Sequence, residues 1–175
     1  MKAPSIETPR LILKPLSLKH LSTKYVGWLN DIEVYRYLET GGNYTLEDLK
    51  EYLKEQEEKK ILFWAIHIKH NDKHIGNIKI DPIDKQENSG EYGIMMGDRK
   101  EWGKGYAKEA SLRIIQYCFE EIKLSKITLG VIEKNTSALK LYDKMGFKRY
   151  EEIKNNGVYQ GEVCNSIRMM KKNDQ

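Results

Sequence analysis

Cysteines and long apolar runs are scarce in this sequence, and each scarcity excludes a class of protein. Only two cysteines, Cys118 and Cys164, occur among 175 residues. A disulfide scaffold needs more, so we expect both to be reduced thiols packed in the interior. No apolar run approaches the ~20 residues that a membrane helix needs, and the first ten residues contain no apolar signal core. We therefore expect a cytoplasmic protein without a membrane partner.

A concentrated basic surface is also missing. The formal net charge is only +4, and acidic residues are interspersed with the 30 lysines and arginines along the chain. Proteins that bind nucleic acids usually show a basic stripe with aromatic platforms, so we expect no nucleic-acid partner. We also predict no metal site. A mild positive excess is compatible with a polyanionic ligand, although charge alone does not identify one.

The sequence does contain a continuous series of helical and strand patterns, without linker, repeat or low-complexity segment. Its length allows one domain with a sizeable core and is too short for two ordinary ones, so we expect a single domain over residues 1–175. The periodicities predict an α+β fold with a mixed sheet. The predicted elements are strand 10–16, helices starting near 17, at 32–38 and at 45–60, strands 61–68, 74–80 and 90–96, helix 103–122, strand 126–132, helix 136–145, and strands near 147–153 and 158–170 around a turn at 155–157.

A glycine-spaced turn lies between the predicted strand 90–96 and the helix that follows it. Residues 99–107 read Arg-Lys-Glu-Trp-Gly-Lys-Gly-Tyr-Ala. The first N–H groups of a helix lack internal partners and carry partial positive charge, so a phosphate can bind there. Gly103 and Gly105 would let an anion approach the backbone, and Lys100 and Lys104 add charge. For the glycines alone, a loop that binds nothing is the alternative.

A second block follows the predicted strand 126–132. Residues 135–147 read Asn-Thr-Ser-Ala-Leu-Lys-Leu-Tyr-Asp-Lys-Met-Gly-Phe. Together the two blocks resemble the GNAT acetyltransferase superfamily, whose pyrophosphate loop has the form Q/R-x-x-G-x-G/A and whose later block reads N-x-x-A-x-x-L-Y-x-x-x-G-F. The element order is similar over the whole chain, and the residues are most similar from Gly90 to Phe147. Lys100 replaces the usual Gln or Arg, which keeps a donor but loses planarity.

The resemblance implies an acetyl-CoA-dependent N-acetyltransferase with a mostly antiparallel, twisted sheet flanked by helices. In the family, the strand before the phosphate turn splays from its neighbour, and its unpaired backbone groups bind the pantetheine arm and the acetyl carbonyl. Asn135 matches an asparagine that binds the pantetheine arm; it is also placed to cap a helix, and the two roles are compatible. The implied cofactor-binding positions are Ile94, Met95, Met96, Lys100, Trp102, Gly103, Lys104, Gly105, Tyr106, Ala107 and Asn135.

The resemblance also implies catalytic roles. Tyr142 matches a tyrosine that reaches the cofactor sulfur and acts as general acid, with core packing as the alternative. Glu91 stands near a point where several members use a carboxylate as general base, often through water; a surface charge at a strand end is the equal alternative. Many members rely on a water path instead of a dedicated base. His67 and His74 are weaker candidates, each expected to be an ordinary hairpin residue.

The acceptor side is less well determined by the sequence. In the family, the early helices and the C-terminal hairpin line the acceptor pocket. Residues 28–39 here follow the pattern W-x-N-D-x-E-V-x-x-Y-L-E, which resembles the branch of ribosomal-protein N-terminal acetylases and, within it, members from bacterial sugar-biosynthesis pathways. We predict that Trp28, Asn30 and Tyr35 contact the acceptor. A buried helix stripe for Trp28 and a helix cap for Asn30-Asp31 are the alternatives.

Three functions follow from these patterns. The leading hypothesis is acetylation of the primary amine of a small polar molecule, such as a nucleotide-linked amino sugar. The second is acetylation of a protein N-terminus or of a polyamine, for which Asp31, Glu33 and Glu39 are suitable and Arg36 is not. The third is a non-catalytic acetyl-CoA sensor or scaffold, against which Tyr142 argues because a binder needs no proton donor. An exposed strand near the C-terminus is compatible with a homodimer.

Overall fold

A computed structural model describes residues 1–38 and 41–174, and within these residues eight strands form one sheet with helices on both faces. The strands are β1 (Ile6–Glu7), β2 (Leu11–Pro15), β3 (Leu62–Ile68), β4 (Lys73–Asp84), β5 (Ser89–Met96), β6 (Lys126–Ile132), β7 (Lys148–Tyr159) and β8 (Glu162–Lys172). The helices are α1 (Thr23–Asn30), α2 (Ile32–Tyr35), α3 (Leu46–Lys59), α4 (Tyr106–Glu120) and α5 (Thr136–Lys144).

The sheet has the strand order β1-β2-β3-β4-β5-β6-β8-β7. Neighbouring strands in the sheet pair antiparallel, except β5 and β6, which run parallel. The predicted α+β class with a mixed, mostly antiparallel sheet is therefore confirmed. None of the described helices is long and apolar enough to cross a membrane. Cys118 and Cys164 are free and buried, as the sequence predicted.

Each face of the sheet is buried under its own helices. Leu62, Trp64 and Ile66 of β3 point to the core shared with α4 and α5, whereas Phe63 and Ala65 point to the core shared with α1 and α3. This alternation follows from the two-residue period of a strand. Because both faces are covered, β3 is buried along its whole length and reads as a nearly continuous apolar run.

The feature that matters most for function is the separation of β5 from β6. The two strands pair only from Ser89 to Glu91, opposite Lys126 to Thr128. Beyond that point β5 continues to Met96 and β6 to Ile132 without pairing. Backbone groups of β5 on the side facing β6 therefore lack a strand partner. The splay expected from the resemblance is present.

Some element boundaries differ from the sequence predictions. Helix α4 begins at Tyr106 instead of Gly103, because Gly103 and Gly105 have φ values of 74° and 82°, outside the helical region. The last hairpin turns at residues 160–161, and not at residues 155–157, which form an irregularity within β7. There Asn155 has φ 54° and donates its N–H to Asn165 Oδ1. Residues 154–156 therefore form a bulge within β7, and pairing with β8 resumes at Gly157.

Candidate active site

The turn at residues 99–105, which we call the phosphate turn, leaves an open approach to the N-terminus of α4. Gly105 occupies the N-cap position and provides no side-chain cap, so the first N–H groups of the helix are available to an external acceptor. A Cβ atom added at Gly103 would meet no atom within 4 Å, which shows that the space in front of the turn is open. An exposed helix N-terminus with free space before it is suitable for a phosphate group.

Arg10, which the sequence did not single out, holds this turn from the other side. Its Nη1 donates to the Lys104 carbonyl at 2.8 Å, and its Nε pairs with Glu109 Oε2 at 2.6 Å. Its guanidinium also lies 4.6 Å from the centroid of the Tyr106 ring. The Lys104 carbonyl of the turn is thereby neutralised by a cationic donor. No local motif reveals this role, because Arg10 is more than 90 residues from its partners in the chain.

The two lysines of the turn differ in their surroundings. Lys104 donates to Glu101 Oε2 at 2.7 Å, and Lys73 donates to the other oxygen of the same carboxylate at 2.6 Å. Lys100 is exposed, and its backbone N–H is bound by Asp98 Oδ1. Trp102 donates from Nε1 to the Met96 carbonyl at 2.9 Å, which ties the end of β5 to the turn. Lys104 thus stiffens the turn, while Lys100 faces solvent.

A cleft of ≈ 800 Å³ lies between the separated strands, and Tyr142 and Asn135 both line it. Burial raises the pKa of Tyr142 to about 12. Its ring packs edge-to-face on Tyr92 at 5.8 Å and against Phe147, and its hydroxyl makes no hydrogen bond to any residue that the structure describes. Asn135 Oδ1 accepts from Ala138 N at 3.2 Å and caps α5. The cleft therefore contains a neutral tyrosine hydroxyl that is free to donate.

Glu91 lines the same cleft within an ion pair. Both of its oxygens accept from the Arg168 guanidinium, at 2.6 and 2.7 Å, and Thr128 donates to Oε2 at 2.6 Å. Burial raises the pKa of Glu91, but the hydrogen bonds from Arg168 and Thr128 outweigh it, so the pKa lies below its ordinary value. The side chain is thus an ionised, oriented carboxylate and more than a surface charge.

A smaller pocket of ≈ 250 Å³ lies on the face of the sheet that α1 and α3 cover. It meets the cleft at three residues that line both: Leu38, Gly93 and Ile94. Its walls are mostly aromatic and aliphatic. The other lining residues are Tyr25, Leu29, Tyr44, Tyr52, Phe63, Asn77, Lys79 and Met95.

The three residues predicted to contact the acceptor do not line this pocket. Trp28 is buried in the core, where its ring lies 5.4 Å from that of Tyr25. Asn30 uses its amide to bind the backbone N–H and carbonyl of Tyr44, at 2.7 and 2.8 Å. Tyr35 packs under the glycine pair that follows α2. Trp28 and Asn30 therefore contact residues that line the pocket, Tyr25 and Tyr44, without lining it themselves. Glu39 lies outside the described residues.

The two histidines that were weak base candidates belong to a buried cluster. The rings of His20, His67 and His74 lie 5.1 to 5.3 Å apart. His74 Nε2 lies 2.8 Å from Asn77 Oδ1, and burial lowers the pKa of His74 to about 3. None of the three lines the cleft or the acceptor-side pocket. Their position fits a structural role next to Asn77.

An aromatic pair joins the two chain segments that border the cleft. Tyr37, which follows α2, stacks on Tyr159 at the tip of the β7–β8 hairpin, with ring centroids 5.3 Å apart and planes 5° from parallel. Tyr37 and several hairpin residues line the cleft. The segment after α2 and the β7–β8 hairpin thus meet at the border of the cleft.

Comparisons with known proteins agree with this geometry. Residues 10–148 match the family model of the acetyltransferase (GNAT) domain. The uncharacterized N-acetyltransferase YoaA of Bacillus subtilis (strain 168) is 26% identical over 150 residues, 83% of this chain and 84% of that protein. A GNAT-family acetyltransferase from Bacillus anthracis has a similar structure, with a TM-score of 0.86 and 22% identity over 98% of this chain and 100% of its own.

A second solved structure is that of the spermidine N-acetyltransferase from Vibrio cholerae in complex with CoA and spermine. It gives a TM-score of 0.85 and 21% identity, covering 94% of this chain and 96% of its own. Because the family model covers most of the chain and the full sheet has the same fold, the protein belongs to the GNAT acetyltransferase family and is an acetyl-CoA-dependent N-acetyltransferase.

Proposed function

We propose that this enzyme acetylates the primary amine of a small polar acceptor, with a nucleotide-linked amino sugar as the leading candidate. The observation that carries the proposal is the junction of two cavities at Gly93 and Ile94. One cavity contains the Tyr142 hydroxyl, and the other is smaller than the roughly 300 Å³ at which pockets for drug-sized ligands begin. The acceptor amine lies at this junction, one end of the molecule enters the small pocket, and a larger remainder stays in the cleft.

The donor side fits acetyl-CoA, which when bound supplies the thioester carbonyl for attack by the amine. The backbone of β5 at Ile94, Met95 and Met96, which does not pair with β6, is proposed to bind the pantetheine arm, except at the Met96 carbonyl, which Trp102 already binds. The open phosphate turn is suitable for the pyrophosphate, and Asn135, which lines the cleft, is proposed to contact the pantetheine arm. The residues of the turn proposed to contact the cofactor are Lys100, Trp102, Gly103, Lys104, Gly105, Tyr106 and Ala107.

Tyr142 is the proposed general acid. With its pKa raised to about 12 by burial, the hydroxyl is protonated at neutral pH and can give its proton to the leaving sulfur. The packing of its ring on Tyr92 and Phe147 fixes the direction of the hydroxyl. Core packing and proton donation are thus compatible for this residue.

Glu91 is proposed to act as a fixed carboxylate that orients a water molecule next to the amine. Because the hydrogen bonds of Arg168 and Thr128 lower its pKa, it is a weak base at neutral pH. This favours removal of the amine proton through water, with Glu91 orienting that water. A role as a direct general base would require the pair with Arg168 to open.

The alternative acceptors receive less support from the geometry. A polyamine needs carboxylates, but Asp31 pairs with Arg99 at 3.3 Å and Glu33 pairs with Arg36 at 3.4 Å. A protein N-terminus needs an extended groove, and the Tyr37–Tyr159 stack crosses the acceptor side. An acetyl-CoA sensor has no use for the Tyr142 hydroxyl in the cleft.

Two measurements test the proposal. Isothermal titration should show acetyl-CoA binding, and thiol release should then be followed with amino sugars, nucleotide-linked amino sugars, polyamines and N-terminal peptides. We expect the amino sugars to gain one acetyl group by mass. Cofactor binding without turnover of any amine would favour the sensor, and preferential turnover of spermidine or of a peptide would replace the leading candidate.

A single domain, a cytoplasmic location and a homodimer stay predictions. The strand β7 lies at the edge of the sheet, and the nearby side chains of Val158 and Val163 are exposed. An edge strand with exposed apolar residues can pair with a second copy. Light scattering on the purified protein measures the oligomeric state, and cell fractionation measures the location.

A further inference from the structure

The small pocket contains two donor groups, Asn77 Nδ2 and Lys79 Nζ, for which the described part of the chain provides no hydrogen bond or ion pair of good geometry. Eleven of the described residues line the pocket, and none of these eleven is an aspartate or a glutamate. Lys79 is the one charged residue among them, and Asn77 is the one amide. The remaining polar groups are tyrosine hydroxyls, which donate or accept. The pocket therefore offers positive charge and N–H groups to whatever enters it.

Asn77 is the more deeply buried of the two donors. Its side chain is 3% exposed, and its Oδ1 lies 2.8 Å from His74 Nε2. Its Nδ2 makes no hydrogen bond of good geometry with a described residue. The Tyr25 hydroxyl lies beside it: burial raises the pKa of Tyr25, and the Asn77 amide lowers it. A buried N–H without a partner is unfavourable, so native structures rarely contain one unless a ligand or water satisfies it. An acceptor oxygen on a bound molecule would satisfy Nδ2.

Lys79 lies two residues further along β4, on the same face of the sheet. Its Nζ lies 6.0 Å from the centroid of the Phe63 ring and forms no ion pair with a described carboxylate within 4.0 Å. The nearby carboxylate of Glu91 is already bound by Arg168 through both oxygens. The charge of Lys79 is thus available to an anionic group on a ligand.

The same arrangement disfavours a polycation. A polyamine entering the pocket would bring positive charge towards Lys79, and no carboxylate among residues 1–38 and 41–174 lines the pocket to compensate. Like charges in a partly desolvated site repel strongly. The aromatic and aliphatic walls formed by Tyr44, Tyr52 and Leu29 are in turn suitable for a ring or an apolar body.

We infer that the acceptor is an amine that also carries an anionic oxygen group, a carboxylate or a phosphate, which binds between Lys79 and the Asn77 amide. This inference rests on the proposed function, because it assigns the acceptor class of the same site. The amine lies at the junction with the cleft, next to Gly93, and the compact body of the molecule packs on the tyrosines. Carboxylate and phosphate share this chemistry, and experiment can distinguish them.

The test compares pairs of amines that differ only in the anionic group. One pair is phenylalanine and phenethylamine, and the other is glucosamine 6-phosphate and glucosamine; spermidine is the cationic control. We expect kcat/KM for the anionic member of at least one pair to exceed that of its partner roughly ten- to hundredfold, the range of a charge-assisted hydrogen bond. Equal values within both pairs, or a preference for spermidine, would overturn the inference.

The variant Lys79→Met keeps the length of the side chain and removes its charge. It should raise KM for the preferred anionic amine roughly ten- to hundredfold and leave KM for its uncharged partner nearly unchanged. Lys79→Arg should restore most of the loss, and Lys85→Met, an exposed lysine in the β4–β5 turn, should have no effect. Equal effects of Lys79→Met on both members of a pair would indicate a structural role and contradict the inference.

Binding and turnover together separate this inference from the proposed function. Titration of each amine into the protein with CoA measures affinity without turnover. If an anionic amine such as phenylalanine is acetylated in a manner that depends on Lys79 while no amino sugar is, the proposed amino-sugar acceptor fails and the inference stands. If amino sugars are acetylated with no dependence on their anionic group or on Lys79, the function stands and the inference fails.

Discussion

The proposed donor side and the proposed acceptor side of this enzyme are built in different ways. The donor side is a continuous segment, from the unpaired end of β5 through the phosphate turn to α4, and it presents mainly backbone groups. The acceptor-side pocket collects side chains from α1, α3 and three strands. Backbone recognition depends on conformation, whereas side-chain recognition depends on which residues the fold brings together. The donor can therefore stay constant while the acceptor changes by single substitutions.

The largest expected effect is at the point where the two sides meet. Tyr142→Phe removes the proposed acid while the ring still fills its place against Tyr92 and Phe147. Thiol release should fall by roughly 10²- to 10⁴-fold, with the acetyl-CoA affinity unchanged by titration. Tyr117→Phe, on the α4 side of the core, is the matched control and should keep full activity. A normal rate of thiol release in Tyr142→Phe would show that Tyr142 is not the general acid.

The next prediction tests whether backbone conformation determines donor binding. Gly103 and Gly161 have φ values of 74° and 80°, and a Cβ at either would meet no atom within 4 Å. Alanine at each position should cost about 1–2 kcal/mol of stability because the left-handed conformation is strained. Only Gly103→Ala should also weaken acetyl-CoA binding, by at least roughly tenfold, since it fills the space in front of the turn. Equal cofactor affinities in the two variants would place the pyrophosphate elsewhere.

A smaller effect is expected at Arg10, a long-range side chain that supports the donor side. Arg10→Met removes the hydrogen bond to the Lys104 carbonyl and the pair with Glu109. KM for acetyl-CoA should rise roughly three- to tenfold, while KM for the acceptor stays constant. Arg10→Lys keeps the charge but cannot form both contacts, so it should recover only part of the loss. A change in acceptor KM instead would contradict the division into two sides.

The smallest effect concerns pH and the support of the acceptor side. Burial lowers the pKa of His74 to about 3 in the folded protein, whereas its unperturbed value is 6.5. Between these values the unfolded state binds more protons, so stability is constant above pH 6.5 and falls as the pH decreases towards 3. The contribution of His74 is at most about 1.4 kcal/mol per pH unit.

Denaturant unfolding at pH 7 and pH 5 measures this effect. His74→Gln, which keeps a donor for Asn77, should flatten the pH dependence of stability. His70→Gln, in the exposed turn between β3 and β4, is the control and should not. An unchanged slope in His74→Gln would show that another group dominates the acid sensitivity.

The same contrast between the two sides explains what the sequence could predict. The phosphate turn and the Asn135–Tyr142 block are local patterns in which spacing alone places residues on a turn or on one helix face. Asn77 and Lys79 belong to an ordinary-looking strand, and only the packing of α1 and α3 turns their face into a pocket wall. The choice of Trp28 and Asn30 was reasonable by composition. In the structure Trp28 fills the core, and Asn30 holds the segment that carries Tyr44.

The fold was predictable to a similar extent. The β3–β4 hairpin and α5 were identified closely because their periods are strong over several residues. The turn at residues 155–157 was wrong because an Asn-Gly pair is a hairpin signal only when the strands end there. Here β7 continues to Tyr159, since its pairing with β8 resumes after the bulge. The strand β1 has two residues, too few for any period to show.

Gly93 gives the enzyme a simple means of changing which amines it admits. It lines both cavities, and its backbone is an ordinary strand. A Cβ there would lie 3.4 Å from Lys79 Cε, at normal contact distance, so alanine could be accommodated without distortion. One methyl group at this passage would exclude branched amines while leaving the chemistry intact. Substrate range can thus be tuned by width at a single position, which makes Gly93 the natural place to begin engineering this acetyltransferase.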